Sequence, residues 1–162
     1  MKRIIIVRHA KSSWKHDVID HERPLNNRGG EDANLVSKHL KAYNVNPDLI
    51  LSSDAVRAKT TAEIFISNLN FTKKKVNLIH DLYDFAGHNL LNVIKSTDNS
   101  VETLMIFGHN HALTFFANTY GSKTIENVPT SGVVVIEFAI DSWKNLESGH
   151  TSFSIFPKDL KH

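Results

Sequence analysis

Four consecutive β-branched apolar residues, Ile4-Ile5-Ile6-Val7, constrain the fold of this chain more than any other stretch in it. A half-exposed strand alternates polar and apolar residues, so an unbroken run predicts a strand covered on both faces. The run stops at Arg8-His9. These two residues therefore fall at the carboxyl end of the strand, the edge of an open α/β sheet where ligands bind. A guanidinium offers a phosphate a planar fork of donors, and an imidazole offers it a nucleophilic nitrogen.

The rest of the chain repeats the theme. Leu49-Ile50-Leu51, Thr103 to Phe107 and Gly132 to Phe138 predict further buried strands, Val76 to Ile79 a weaker one, and Ser152 to Ile155 an alternating edge strand ended by Pro157. Helical spacing falls between them. Ala33, Val36, Leu40 and Tyr43 predict a helix over Glu31 to Tyr43, preceded by Gly29-Gly30. Ser52-Ser53-Asp54 reads as an N-cap cluster for a second helix with Val56, Ala58, Ala62, Phe65, Ile66 and Leu69 on its apolar side. A short helix over Leu90 to Ile94 and another from Ala112 to Tyr120 complete the set. Alternation without repeats or linkers predicts a single domain over residues 1–162, a three-layer α/β/α sandwich on a mostly parallel sheet.

Composition serves mainly to exclude. With no cysteine, disulfides, thiolate catalysis and Cys-based metal sites are all ruled out. A net charge of +2 is too mild for a nucleic-acid partner, and Lys73-Lys74-Lys75 reads as a solvated loop. No stretch approaches the ~18 apolar residues of a membrane span, and the first apolar run is too short for the ~7 to 15 residues of a signal core. The expected location is the cytoplasm. Among ten histidines, His16, His21, His39, His150 and His162 lie in polar surroundings and are expected at the surface.

The chemistry-bearing residues collect at strand ends. Arg8-His9 follow the first strand, and Gly108-His109-Asn110 follow the strand ending at Phe107. Arg57 falls in the first turn of a helix, where the dipole opposes a cation unless an anion lies between them. Arg23, held extended by Pro24 on the long polar loop from Ala10 to Asn27, reads either as a further anion contact or as an ordinary surface arginine. Asp81 and Asp84 are carboxylates available to protonate a leaving group, although turn and capping chemistry accounts for them equally well. No phosphate-binding glycine loop, dinucleotide fingerprint or serine elbow is present, so no cofactor is expected. His109 and His111, two residues apart at a helix start, point in different directions and predict no metal.

Val7-Arg8-His9-Ala10-Lys11-Ser12, Glu22-Arg23-Pro24-Leu25-Asn26, Leu51-Ser52-Ser53-Asp54-Ala55-Val56-Arg57-Ala58 with Thr61-Ala62, and Gly108-His109-Asn110 together resemble the histidine phosphatase superfamily with its phosphoglycerate-mutase-like fold. The SixA-like phosphohistidine phosphatase branch is the nearest in pattern. Pro129-Thr130-Ser131-Gly132-Val133 and Pro157-Lys158-Asp159-Leu160 extend the similarity over nearly the whole chain. Ala10 replaces the usual glycine of the Arg-His-Gly signature, as it does in SixA-like members. His111 stands where that branch generally has proline, which puts a further imidazole at the mouth of the site.

The resemblance implies a mechanism. His9 attacks phosphorus to give a phosphohistidine enzyme that water hydrolyses, Arg8, Arg57 and a protonated His109 hold the phosphoryl oxygens, and Ser12, Arg23 and Asn110 line the pocket. The general acid is left between Asp81 and Asp84, since SixA-like members lack an obvious one. The implied substrate is a phosphohistidine-bearing protein. A small-molecule phosphomonoesterase or mutase on the same fold, and a non-catalytic module that binds phosphoproteins, are the alternatives.

Overall fold

The structure is a computed structural model that describes residues 1–71 and 75–161. His162 and most of the basic run Lys73-Lys74-Lys75 lie outside the described residues. Strands β1 (Lys2–Arg8), β2 (Leu49–Ser52), β3 (Val76–Leu78), β4 (Thr103–Gly108), β5 (Val133–Phe138) and β6 (His150–Ile155) form one sheet in the order β3-β2-β4-β1-β5-β6. The first four in that order are parallel, and β5 runs antiparallel to both of its neighbours. The sheet is therefore mixed, with a parallel half that carries the chemistry-bearing strand ends.

Helices α1 (Asn27–Leu40), α2 (Val56–Leu69), α3 (His88–Lys95), α4 (Ala112–Tyr120) and α5 (Pro157–Leu160) lie on the two faces. The unbroken apolar run of β1 is explained by this arrangement. Ile4 and Ile6 pack with Ile94, Leu113 and Phe116 from α3 and α4, whereas Ile5 and Val7 pack with Val36, Leu40 and Phe65 from α1 and α2. Each strand residue meets a helix layer, whichever way it points. All four are fully buried.

The starts of the first two helices differ from those expected. Helix α1 starts at Asn27 rather than Glu31, because Asn26 caps it by accepting a hydrogen bond from Gly29 N at 2.8 Å. Gly29 thus lies inside the helix, and a Cβ there would sit 2.1 Å from Lys11 O. The glycine lets the first helical turn press against the loop that follows His9. Ser52-Ser53-Asp54 does not cap α2: the cap position is Ala55, with no side-chain bond. Ser53 Oγ accepts from Ala55 N at 3.1 Å within the preceding turn, and Asp54 points elsewhere.

Candidate active site

Parallel pairing decides what meets at the strand ends. In the β1–β4 ladder Arg8 stands opposite Gly108, and in the β2–β4 ladder Ser52 stands opposite Phe107. The next residues are consequently level with one another: His9 N donates to Gly108 O at 3.0 Å, and Ser53 N donates to Phe107 O at 3.0 Å. This register brings the rings of His9 and His109 to a centroid separation of 5.1 Å. Both side chains are buried, although both border a cleft of about 940 Å³.

Each ring is held by one nitrogen. His9 Nδ1 lies 2.7 Å from Ala10 O, and a carbonyl can only accept, so Nδ1 carries the proton and Nε2 keeps its lone pair. Burial lowers the pKa of His9 to about 3; the Ala10 bond opposes this, and the positive charges of Arg57, Arg8 and Arg23 add to it. Its ring is therefore neutral at physiological pH. His109 Nε2 meets Ser53 Oγ at 2.8 Å, while its buried Nδ1 has no partner. Burial, then the charges of His9 and Arg57, lower its pKa to about 2. The expected protonated His109 is thus neutral in the free protein, because its buried ring lacks the solvation a charge needs and the neighbouring arginines repel a further cation.

Arginines form the wall. Arg8 Nη1 donates to Val128 O at 3.0 Å, on the segment leading into β5. Ser131, at φ 61°, closes that segment over β1 by donating its N–H to the carbonyls of Arg8 and His9. Arg57 has found the anion its helix position calls for, and the anion is Asp20: Nη1 donates to Asp20 O at 2.7 Å and Nη2 to Asp20 Oδ2 at 2.9 Å. Arg23 Nη1 donates to Asp20 Oδ1 at 2.9 Å, its Nη2 bonds Ser12 Oγ, and its guanidinium stacks on Trp14. Tyr83 also donates to Asp20 Oδ2. Burial tends to raise the pKa of Asp20, but the bonds from Tyr83, Arg23 and Arg57 outweigh it and hold the carboxyl well below the usual range.

The geometry leaves a surplus of donors. Arg8 Nε and Arg57 Nε are buried donors without partners, and the partnerless His109 Nδ1 joins them when that ring is protonated. Arg8, Arg23 and Arg57 border the cleft with one carboxylate, and Lys11, Lys15 and Arg28 add charge around the opening. Unpaired buried donors cost about 1 to 3 kcal/mol each, so a cluster of them is a site for an acceptor that carries negative charge.

Of the residues singled out in the sequence, Arg8, His9, Ser12, Arg23, Arg57, His109 and Asn110 all border this cleft. Asn110 mainly ties α4 down, accepting from Thr114 N and donating to Val128 O. Asp81 and Asp84 stand apart from it. Asp81 is exposed, and the Asp84 carboxylate is spent on the N–H groups of Ala86, Gly87 and Leu90 at the start of α3. Among the described residues the carboxylate that borders the cleft is Asp20. His111 occupies the cap position of α4 and is exposed, away from the cleft lining. Asp20, Ser53 and Tyr83 have site contacts that the sequence did not disclose. The one available signal was the i, i+3 spacing of Asp20 and Arg23.

The model of the histidine phosphatase superfamily, branch 1, matches residues 4–90. The chain belongs to that superfamily. An uncharacterised chloroplastic protein of Arabidopsis thaliana is 31% identical over 152 residues, covering 88% of this chain and 69% of the relative. The protein histidine phosphatase SixA, solved with tungstate, shares the fold at a TM-score of 0.80 and 19% identity, over 98% of this chain and 99% of that one. A phosphoglycerate mutase of Bacillus anthracis str. Sterne shares it at 0.62 and 17%, over 88% and 93%. The mixed sheet with helices on both faces is the fold of this superfamily, and the chain is a histidine phosphatase enzyme.

Such an enzyme should take up a proton as an oxyanion enters. His109 is neutral when the cleft holds no anion, with a pKa of about 2. A dianion beside Nδ1 favours the charged form and raises that value. Between the lowered and the raised pKa, binding adds a proton, so affinity increases as pH falls. Calorimetric titration with tungstate in buffers of different ionisation enthalpy is expected to show uptake of up to one proton. His109→Ala should remove the uptake.

Proposed function

We propose that this histidine phosphatase hydrolyses phosphohistidine on a protein, through a covalent intermediate on His9. His9 Nε2 attacks phosphorus while the bond from phosphorus to the substrate imidazole breaks. The phosphoryl group moves to His9, and the imidazole departs with the bonding pair and takes a proton from solvent. Water then attacks phospho-His9, releasing inorganic phosphate and restoring the free nitrogen. Arg8, Arg57 and His109 hold the three equatorial oxygens, over which the charge of a loose transition state is spread.

The observation that carries the substrate class concerns the acid. Asp20 borders the cleft, but Arg23 occupies its Oδ1 and Arg57 and Tyr83 occupy its Oδ2. Among the described residues no carboxyl proton is presented to a leaving group. An alkoxide resembles water, with a pKa of about 15.7, and needs protonation as its bond breaks. Imidazole, whose conjugate acid has a pKa of about 6.5, leaves without that help. A site built this way favours the phosphorus–nitrogen bond.

The test sets a phosphohistidine protein beside a sugar phosphate under the same conditions. Turnover of the phosphohistidine protein is expected to exceed that of the ester by about 10²-fold or more, the range supplied by general acid catalysis. Equal or faster ester hydrolysis would overturn the reading in favour of a metabolite phosphatase.

A further inference from the structure

Beside the cleft, and unused by the chemistry above, three side chains from distant parts of the chain converge. His21 lies in the 3-10 turn Asp20–Glu22, Asp54 between β2 and α2, and His80 in the 3-10 turn His80–Leu82 after β3. His21 Nε2 is 2.8 Å from Asp54 Oδ1, and His80 Nδ1 is 2.9 Å from Asp54 Oδ2. One ligand atom from each residue can be chosen so that all lie within 4.8 Å of one another. We propose that these residues form a binding site for a divalent transition cation, with zinc the ion best matched to the donors.

The donor set supports this choice. Two imidazole nitrogens and one carboxylate oxygen are borderline ligands that suit zinc, and three protein ligands leave one position for water. At metal–ligand distances of about 2.1 Å, tetrahedral donors stand about 3.4 Å apart. The two contacts to Asp54, at 2.8 and 2.9 Å, are close to that value, and all three ligand atoms lie within 4.8 Å of one another. Asp54 is half-buried and supplies the negative charge, His21 is similarly covered, and His80 is 72% exposed, which leaves the fourth position toward solvent.

The location gives the ion a task. Tyr83 packs edge-on against His21 at 4.9 Å and against His109 at 5.3 Å, so the cation site and the phosphate cleft share one aromatic ring. His21 is next to Asp20 and two residues from Arg23, both of which face the cleft. A cation held by His21, Asp54 and His80 fastens the loop between β1 and α1 to the segments after β2 and β3. It acts as a clip on the phosphate-binding loop and has no part in the phosphoryl step.

The experiment is zinc binding by the full-length protein, measured by competition with a chromophoric chelator. One equivalent is expected for the native protein and for His9→Ala, with a rise in melting temperature. His21→Ala and His80→Ala should each weaken binding by at least about tenfold. Zinc X-ray absorption on the native protein, which needs no variant, should show two imidazoles and oxygen donors. No saturable binding, binding retained in the His21→Ala/His80→Ala double variant, or loss in His9→Ala alone would overturn the proposal.

Discussion

His9→Ala is expected to abolish turnover, with kcat falling on the order of 10⁴-fold or more, as when a covalent nucleophile is removed from a hydrolase. The variant should still bind tungstate, because Arg8 and Arg57 are held by Val128 O and Asp20 and not by His9. It should also fold. The imidazole makes a single hydrogen bond, to the neighbouring Ala10 carbonyl, and burying an ionisable ring with one partner adds little to stability. Loss of turnover with anion binding intact separates a nucleophile from a mere anion contact. A residual rate within tenfold of the native enzyme would assign the attack to another group.

Arg57→Ala should show the second largest effect. Its guanidinium is 3% exposed and links the cleft to Asp20, and its buried Nε has no partner in the free protein. Loss of one preorganised donor from a developing anion costs about 10²- to 10³-fold in kcat. Arg57→Lys should recover only part of this, since an ammonium keeps the charge but not the planar fork. Folding is affected far less. Asp20 is 41% exposed and keeps Arg23 and Tyr83, so solvent screening limits the loss from the broken pair to about 1 kcal/mol. Steady-state kinetics beside thermal denaturation will separate the two effects, and a melting loss that parallels the kinetic loss would recast Arg57 as structural.

The contrast between what the sequence disclosed and what it withheld has a physical basis. Ile4 to Val7 and Leu104 to Phe107 betrayed their strands because burial on both faces admits only apolar residues. Once those strands are parallel neighbours, Arg8-His9 and His109 must emerge side by side, so that part of the cleft was legible. The starts of α1 and α2 were not. Asn26 and Ser53 both have capping chemistry, and only the packed structure decides that Asn26 caps a helix while Ser53 turns to His109. Asp20 escaped for a related reason: its bonds to Arg57 and Tyr83 join residues 37 and 63 positions apart, beyond any local pattern. His21 was expected at the surface and is instead paired with Asp54, 33 positions away. Asp81 and Asp84 drew attention as the carboxylates of a polar loop, yet the needs of α3 claim Asp84.

The most direct test of the central claim is to trap the intermediate. The protein is mixed with a phosphohistidine-bearing protein, quenched in alkali within milliseconds, and digested for mass spectrometry. A single phosphoryl group on the peptide containing His9, stable in alkali, labile in acid and absent from His9→Ala, is the predicted result. Full turnover of the same substrate with His9 never phosphorylated at any quench time would contradict the account.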